Sequence, residues 1–203
     1  MMSHYLWTKL LWHIANFGDV SVALPIAAIL VMWLCVQRRW GTGMWYAFAV
    51  LGCSATILFL KLAFFAGELR LPTLGLQNPS GHSAVGAVVY GSLAWIVSRE
   101  IPGWRGRVLL LLGCAGVAAI GASLYLVGAH TLPDVVAGLT LGGSCAAAFA
   151  RFGDRGEAPV GGAPVRLMLT IAIAALSLQG LHLVAHIAPT NLLLLLPSLT
   201  APA

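Results

Sequence analysis

The sequence predicts an all-α, polytopic membrane protein: a six-transmembrane-helix bundle with an N-terminal interfacial amphipathic helix. Three observations carry this. The 203 residues are 60% hydrophobic and only 8% charged, against about 25% charged in a soluble domain. The mean hydropathy is +0.92. Apolar stretches of membrane-crossing length, roughly 17–25 residues, recur along the chain between short polar breaks.

Residues 1–18 are amphipathic. Leu6, Trp7, Leu10, Leu11 and Ile14 share one helical face, and Thr8, Lys9, His13 and Asn16 face away. With Trp7 and Trp12, this pattern predicts a helix lying in the membrane interface. Six spans follow, at about 20–36, 44–65, 82–98, 107–127, 132–150 and 166–187. The stretch 151–165 is rich in Gly and Pro and reads as a linker. The tail, 188–203, is too short to span and rests against the bilayer. The whole chain, 1–203, is one membrane domain, with its six-helix core at 20–187. Its start is expected not to be a cleavable signal, since no basic leader directly precedes an apolar core. Gly138 and Gly142, with Gly113, Gly116 and Gly121, offer smooth faces for close helix contact. Cys35, Cys53, Cys114 and Cys145 all fall inside apolar spans and read as small packing residues.

The net charge of +5 belongs to membrane topology and not to nucleic-acid binding. Arg38, Arg39, Arg99, Arg105, Arg107, Arg151, Arg155 and Arg166 fall in alternate loops on one side, eight of the eleven Lys and Arg. Lys9, Lys61 and Arg70 fall on the other. The positive-inside rule puts both termini outside the cytoplasm. Trp33, Trp40, Trp45 and Trp104 read as a cytoplasmic aromatic belt. The expected location is a bacterial inner membrane, with Lys61, Arg70, Ser80, His82, His130 and Asp134 on the periplasmic face.

Two short segments on that face carry chemistry. Pro79 and Ser80 suit a helix start. The unpaired amides there attract an anion, and Gly81 lets it approach the backbone closely. His82 stands beside it, able to exchange a proton near neutral pH. At the next site, His130 and Asp134 are four residues apart and share a helical face. Asp134 is positioned to accept from one ring nitrogen and leave the other nucleophilic. A purely structural His–Asp cap fits the same spacing. Lys61, near the outer end of the second span, either snorkels to the interface or reaches the same anion. His4, His13, His182 and His186 read as local hydrogen-bonding residues. No metal or other cofactor is expected, and Asn78-Pro79 before Ser80 does not form a serine-hydrolase elbow.

At these residues the chain resembles the type 2 phosphatidic acid phosphatase superfamily of membrane lipid phosphatases. The family's motifs are Lys-x6-Arg-Pro, Pro-Ser-Gly-His and Ser-Arg-x5-His-x3-Asp. Here the second is complete as Pro79-Ser80-Gly81-His82, and the third reads Ser123-Leu124-x5-His130-x3-Asp134. The first begins at Lys61 but has Glu68-Leu69 in place of Arg-Pro, with Arg70 two residues late. The resemblance implies that His130 attacks phosphorus to form a phosphohistidine, Asp134 orients it, and His82 protonates the leaving group. It implies that Lys61, Ser80, Gly81 and Arg70 hold the phosphoryl oxygens without a metal. The high hydropathy excludes the superfamily's soluble haloperoxidase branch.

The expected partner is therefore a lipid phosphate or diphosphate within the bilayer. A lipid phosphotransferase moving a phospho-headgroup between lipids is the first alternative. It is favoured by the absent arginines, because a phosphodiester carries a single negative charge. A catalytically degenerate relative that binds or moves a lipid is the second.

Overall fold

In a computed structural model, residues 2–67, 75–101, 103–153, 171, 175 and 177–179 are described. Six α-helices follow one another: α1 Met2–Asn16, α2 Val20–Val36, α3 Trp40–Phe65, α4 Gly81–Glu100, α5 Trp104–Leu126 and α6 Leu132–Ala148. The last runs on into a π-helical turn, Phe149–Gly153. Among the described residues there is no extended strand, and the fold is all-α as the sequence predicts.

The bundle is arranged around α4, which packs against α2, α3, α5 and α6. Every residue of α4 from Ser83 to Val89 is buried. Its surroundings are protein, so it needs small and polar residues more than a lipid-soluble surface. By length and hydropathy, α3, α5 and α6 with its π turn qualify as membrane spans among the described residues. The α1–α2 pair, bent by 41°, makes a fourth if it is one broken span. The helix α4 does not stand among these spans, and α2 has 17 residues. Of the expected sixth span, only 171, 175 and 177–179 are described. Ile171 and Ala175 are buried in the main core and Leu178 packs against it. The tail, Glu68, Arg70, His182 and His186 lie outside the described residues.

Apolar side chains cover the outside as well as the core. On α3, Phe48, Leu51, Phe59, Leu62 and Phe65 are all exposed, which suits a surface bathed in lipid. In α1, only the C-terminal turn is covered by protein. Ala15 is buried against Ile120, Leu124 and Val135, with Ile14 beside it, while Leu6, Trp7 and Leu10 are exposed.

Glycines set the closest helix contacts. A β-carbon on Gly138 would overlap the Ser80 carbonyl, and one on Gly142 the Ala84 carbonyl. These two glycines therefore bring the start of α6 onto the start of α4. Gly113 against Ala94 and Gly121 against Val135 do the same for α5. Gly116 meets nothing within 4 Å and faces open space instead.

The end of the bundle away from the histidines is closed by a buried ion pair, Arg39 Nη1 to Glu100 Oε1 at 2.5 Å. It joins the α2–α3 turn to the last residue of α4. At the same end, Arg99 lies over Trp95, Arg105 over Trp104 and Arg151 over Phe152. Trp40, Trp45 and Trp104 are exposed as a belt requires, whereas Trp33 packs against the core.

Candidate active site

At the other end, the α1–α2 turn, the end of α3, the start of α4 and the α5–α6 turn converge. The α5–α6 turn is shaped by its own main chain. Gly128 has φ 74°, a left-handed conformation that glycine adopts without a steric penalty. The amides of Ala129 and His130 both bond the Leu124 carbonyl, at 3.0 and 3.4 Å, and so close the end of α5.

Thr131 then caps α6 in a reciprocal capping box with Asp134. Asp134 Oδ2 accepts from Thr131 Oγ1 at 2.7 Å and Thr131 N at 3.3 Å. Its other oxygen reaches out of the helix and accepts from Gln77 N at 3.0 Å and Asn78 N at 2.8 Å. Ser80 N donates to the Asp134 carbonyl at 3.0 Å. One buried residue thus laces the 75–80 loop onto α6, and its carboxylate is fully partnered.

His130 lies before α6 begins, so the i, i+4 geometry of a helix does not apply to it. Its ring lies beside the Asn78 backbone, which favours the protonated form. In place of a direct bond, Asp134 acts on the imidazole through its charge and through Asn78, whose N–H it holds. Burial, followed by the nearby Lys61 ammonium, holds His130 below the usual histidine pKa. Held in that direction, the ring favours its neutral form, which carries a lone pair on one nitrogen.

Lys61 comes from α3 and lies along Gly81. Its Cε is 3.3 Å from where a Gly81 β-carbon would stand, so the glycine makes room for the lysine. Ser80 is wholly buried and caps α4, its hydroxyl accepting from Ser83 N at 3.3 Å and Ser83 Oγ at 3.0 Å. The structure therefore draws Lys61, Gly81, His82, His130 and Asp134 together. Arg70 lies outside the described residues.

A further side chain enters that the sequence reading missed. Asp19, at the N-cap of α2, places Oδ2 3.1 Å from His82 Nε2. Its other oxygen takes Ser21 N at 2.8 Å and Ser21 Oγ at 2.6 Å. A signal was available: an acid between two apolar helices of a membrane protein is costly unless it is used.

Leu124, at the family's arginine position, is 1% exposed and packed among Ala15, Ile120 and Val135. Two apolar cavities flank α4 and α5. One, of about 560 Å³, is lined by Phe17, Tyr90, Leu93, Gly113, Gly116 and Ile120. The other, of about 610 Å³, is lined by residues including Gly91, Trp95, Leu139 and Gly143. Neither is lined by the histidines or Asp134, so neither is the chemical site. Among the described residues, no three His, Cys, Asp or Glu side chains cluster as metal ligands do.

A family model for the PAP2 superfamily matches residues 65–156, which take in Pro79 to His82 and His130 to Asp134. The chain is also 31% identical over 137 residues to an "Uncharacterized 22.5 kDa protein in cps region" of Klebsiella pneumoniae. Residues 65–156 thus carry the PAP2-superfamily pattern. The alignment covers 67% of this chain and 66% of the Klebsiella protein, so the chain spans just under two thirds of that relative's length. No solved structure matches. Asp19 and Lys61 both lie outside the matched segment.

Proposed function

We propose that this protein is a membrane lipid phosphatase working through a phosphohistidine at the periplasmic face of the inner membrane. The observation that carries the proposal is the meeting of His82, His130 and Lys61 at one end of the bundle, with Lys61 lying along Gly81 where α4 opens. The His130 lone pair attacks phosphorus as the P–O bond to the lipid breaks. The departing oxygen takes the electron pair and a proton from His82. Water, deprotonated by His82, then attacks the phosphohistidine, releases phosphate and frees His130. Lys61 and the first amides of α4 hold the phosphoryl oxygens. The bilayer supplies the substrate, and the apolar cavities beside α4 suit its tails.

Leu124 favours a second reading. Its burial supports a pocket short of one positive charge, which fits a singly charged phosphodiester better than a phosphomonoester dianion. A lost charge-assisted contact costs about 1.5–3 kcal/mol. In a transferase, a lipid hydroxyl replaces water in the second step. The test is to incubate purified protein with phosphatidate, polyprenyl diphosphate and phosphatidylglycerophosphate in vesicles, with EDTA present, and to weigh the products. Free phosphate lost in His130→Ala supports the phosphatase. Transfer to a lipid without free phosphate supports the transferase. Equal turnover by His130→Ala overturns both.

A further inference from the structure

Three consecutive residues of the α1–α2 turn dock on the first two and a half turns of α4. The Phe17 carbonyl accepts from Tyr90 Oη at 2.7 Å. Gly18 lies so close that a β-carbon there would stand 2.6 Å from the His82 carbonyl. Asp19 then meets His82 Nε2 at 3.1 Å. The contacts fall in register along α4, at residues 90, 86 and 82, with Gly86 facing Gly18. The turn is thus fixed to the helix that carries His82 at more than one point. Asp19 is itself held by the two donors of Ser21.

We propose that Asp19 is a positioning residue for His82, fixing the ring and its tautomer so that His82 serves as the proton donor to the leaving group. The inference rests on the phosphohistidine reading above and extends it to a residue outside the matched segment. The Asp19 carboxylate accepts a hydrogen bond from Nε2–H, so the proton handed to the departing oxygen is the one on Nδ1. The imidazolium that holds both protons is stabilised by the carboxylate at 3.1 Å. Asp19 acts on His82 as the buried aspartate of a catalytic triad acts on its histidine, here on the acid and not on the nucleophile.

The test uses Asp19→Asn, because asparagine caps a helix as well as aspartate does and α2 is kept. Turnover is compared on an alkyl lipid phosphate, whose leaving group needs a proton, and on p-nitrophenyl phosphate, whose leaving group does not. In Asp19→Asn, kcat on the alkyl substrate falls roughly 10- to 100-fold, within the usual contribution of a general acid, while KM changes little. Turnover of the aryl substrate stays within about threefold on the same grounds. Equal losses on both substrates, or none on either, overturn the proposal. A second readout needs no turnover: ¹⁵N imidazole NMR of His82, assigned by its loss in His82→Gln. A changed tautomer balance in Asp19→Asn supports the pairing, and an unchanged spectrum overturns it. A wild-type protein inactive on both substrates would instead contradict the phosphatase reading, leaving Asp19 to be judged by the NMR.

Discussion

The two histidines of the site are held in different ways. His130 is held by main chain: the Gly128 turn, the Leu124 carbonyl and a neighbouring loop stitched to α6 by Asp134. His82 is held by a side chain, Asp19, delivered by a turn from the far end of the sequence. The first support is local and lies within the segment shared with the PAP2 family. The second is long-range and lies outside it. The comparison teaches that the support of His130 lies in the family's common segment, whereas the support of His82 comes from the N-terminal helices of this chain.

Breaking the His130 half has the largest expected effect. His130→Ala removes the nucleophile and lowers kcat by more than about 10³-fold, the scale seen when a nucleophile is lost. Asp134→Asn presents an amide N–H to donors that now meet carboxylate oxygens. Losing even one of those charge-assisted bonds costs about 1.5–3 kcal/mol, read as a lower Tm together with a fall in kcat. Such a joint loss separates Asp134 from Asp19, whose loss leaves the fold intact.

The helix contact beneath both halves is tested next. Gly142→Ala drives a methyl group into the Ala84 carbonyl, and overpacking of this kind costs about 1–3 kcal/mol. Gly116→Ala is its control, since nothing lies within 4 Å there. It raises stability by about 0.5–1 kcal/mol through helix propensity. Thermal unfolding in detergent measures both.

The smallest effect is in pH. His130 must be neutral to attack, and its pKa is lowered, first by burial and then by Lys61. Activity therefore rises with pH through a limb below the ordinary histidine value of 6.5. Lys61→Gln removes a positive charge, raises the His130 pKa and moves that limb to higher pH. A kcat profile between about pH 4 and 8, spanning the ordinary histidine range, reads the shift.

Legibility from the sequence followed the same division. The helical architecture and the gathering of His82, His130 and Asp134 at one end of the bundle were readable because hydropathy and short motifs are local signals. The smooth faces at Gly138 and Gly142 were readable for the same reason. The direct bond from Asp134 to His130 was misjudged, because helix spacing was assumed one turn before α6 begins. Asp19 was missed because its partner stands 63 positions away (82 minus 19). Arg39 was read as a loop charge for topology. The structure shows it buried against Glu100, since sequence gives its side of the membrane but not its partner. The expected span at 82–98 forms a helix, α4, that does not qualify by hydropathy, because a helix wrapped in protein need not be apolar.

The central claim is that phosphorus passes through His130, and trapping that intermediate tests it most directly. Purified protein is mixed with ³²P-labelled phosphatidate in vesicles, quenched in alkali and digested, and the labelled peptide is sequenced. The account predicts an acid-labile, alkali-stable phosphohistidine at His130, absent in His130→Ala. Phosphate release or transfer with no such label, or with the label on Ser80, would contradict it.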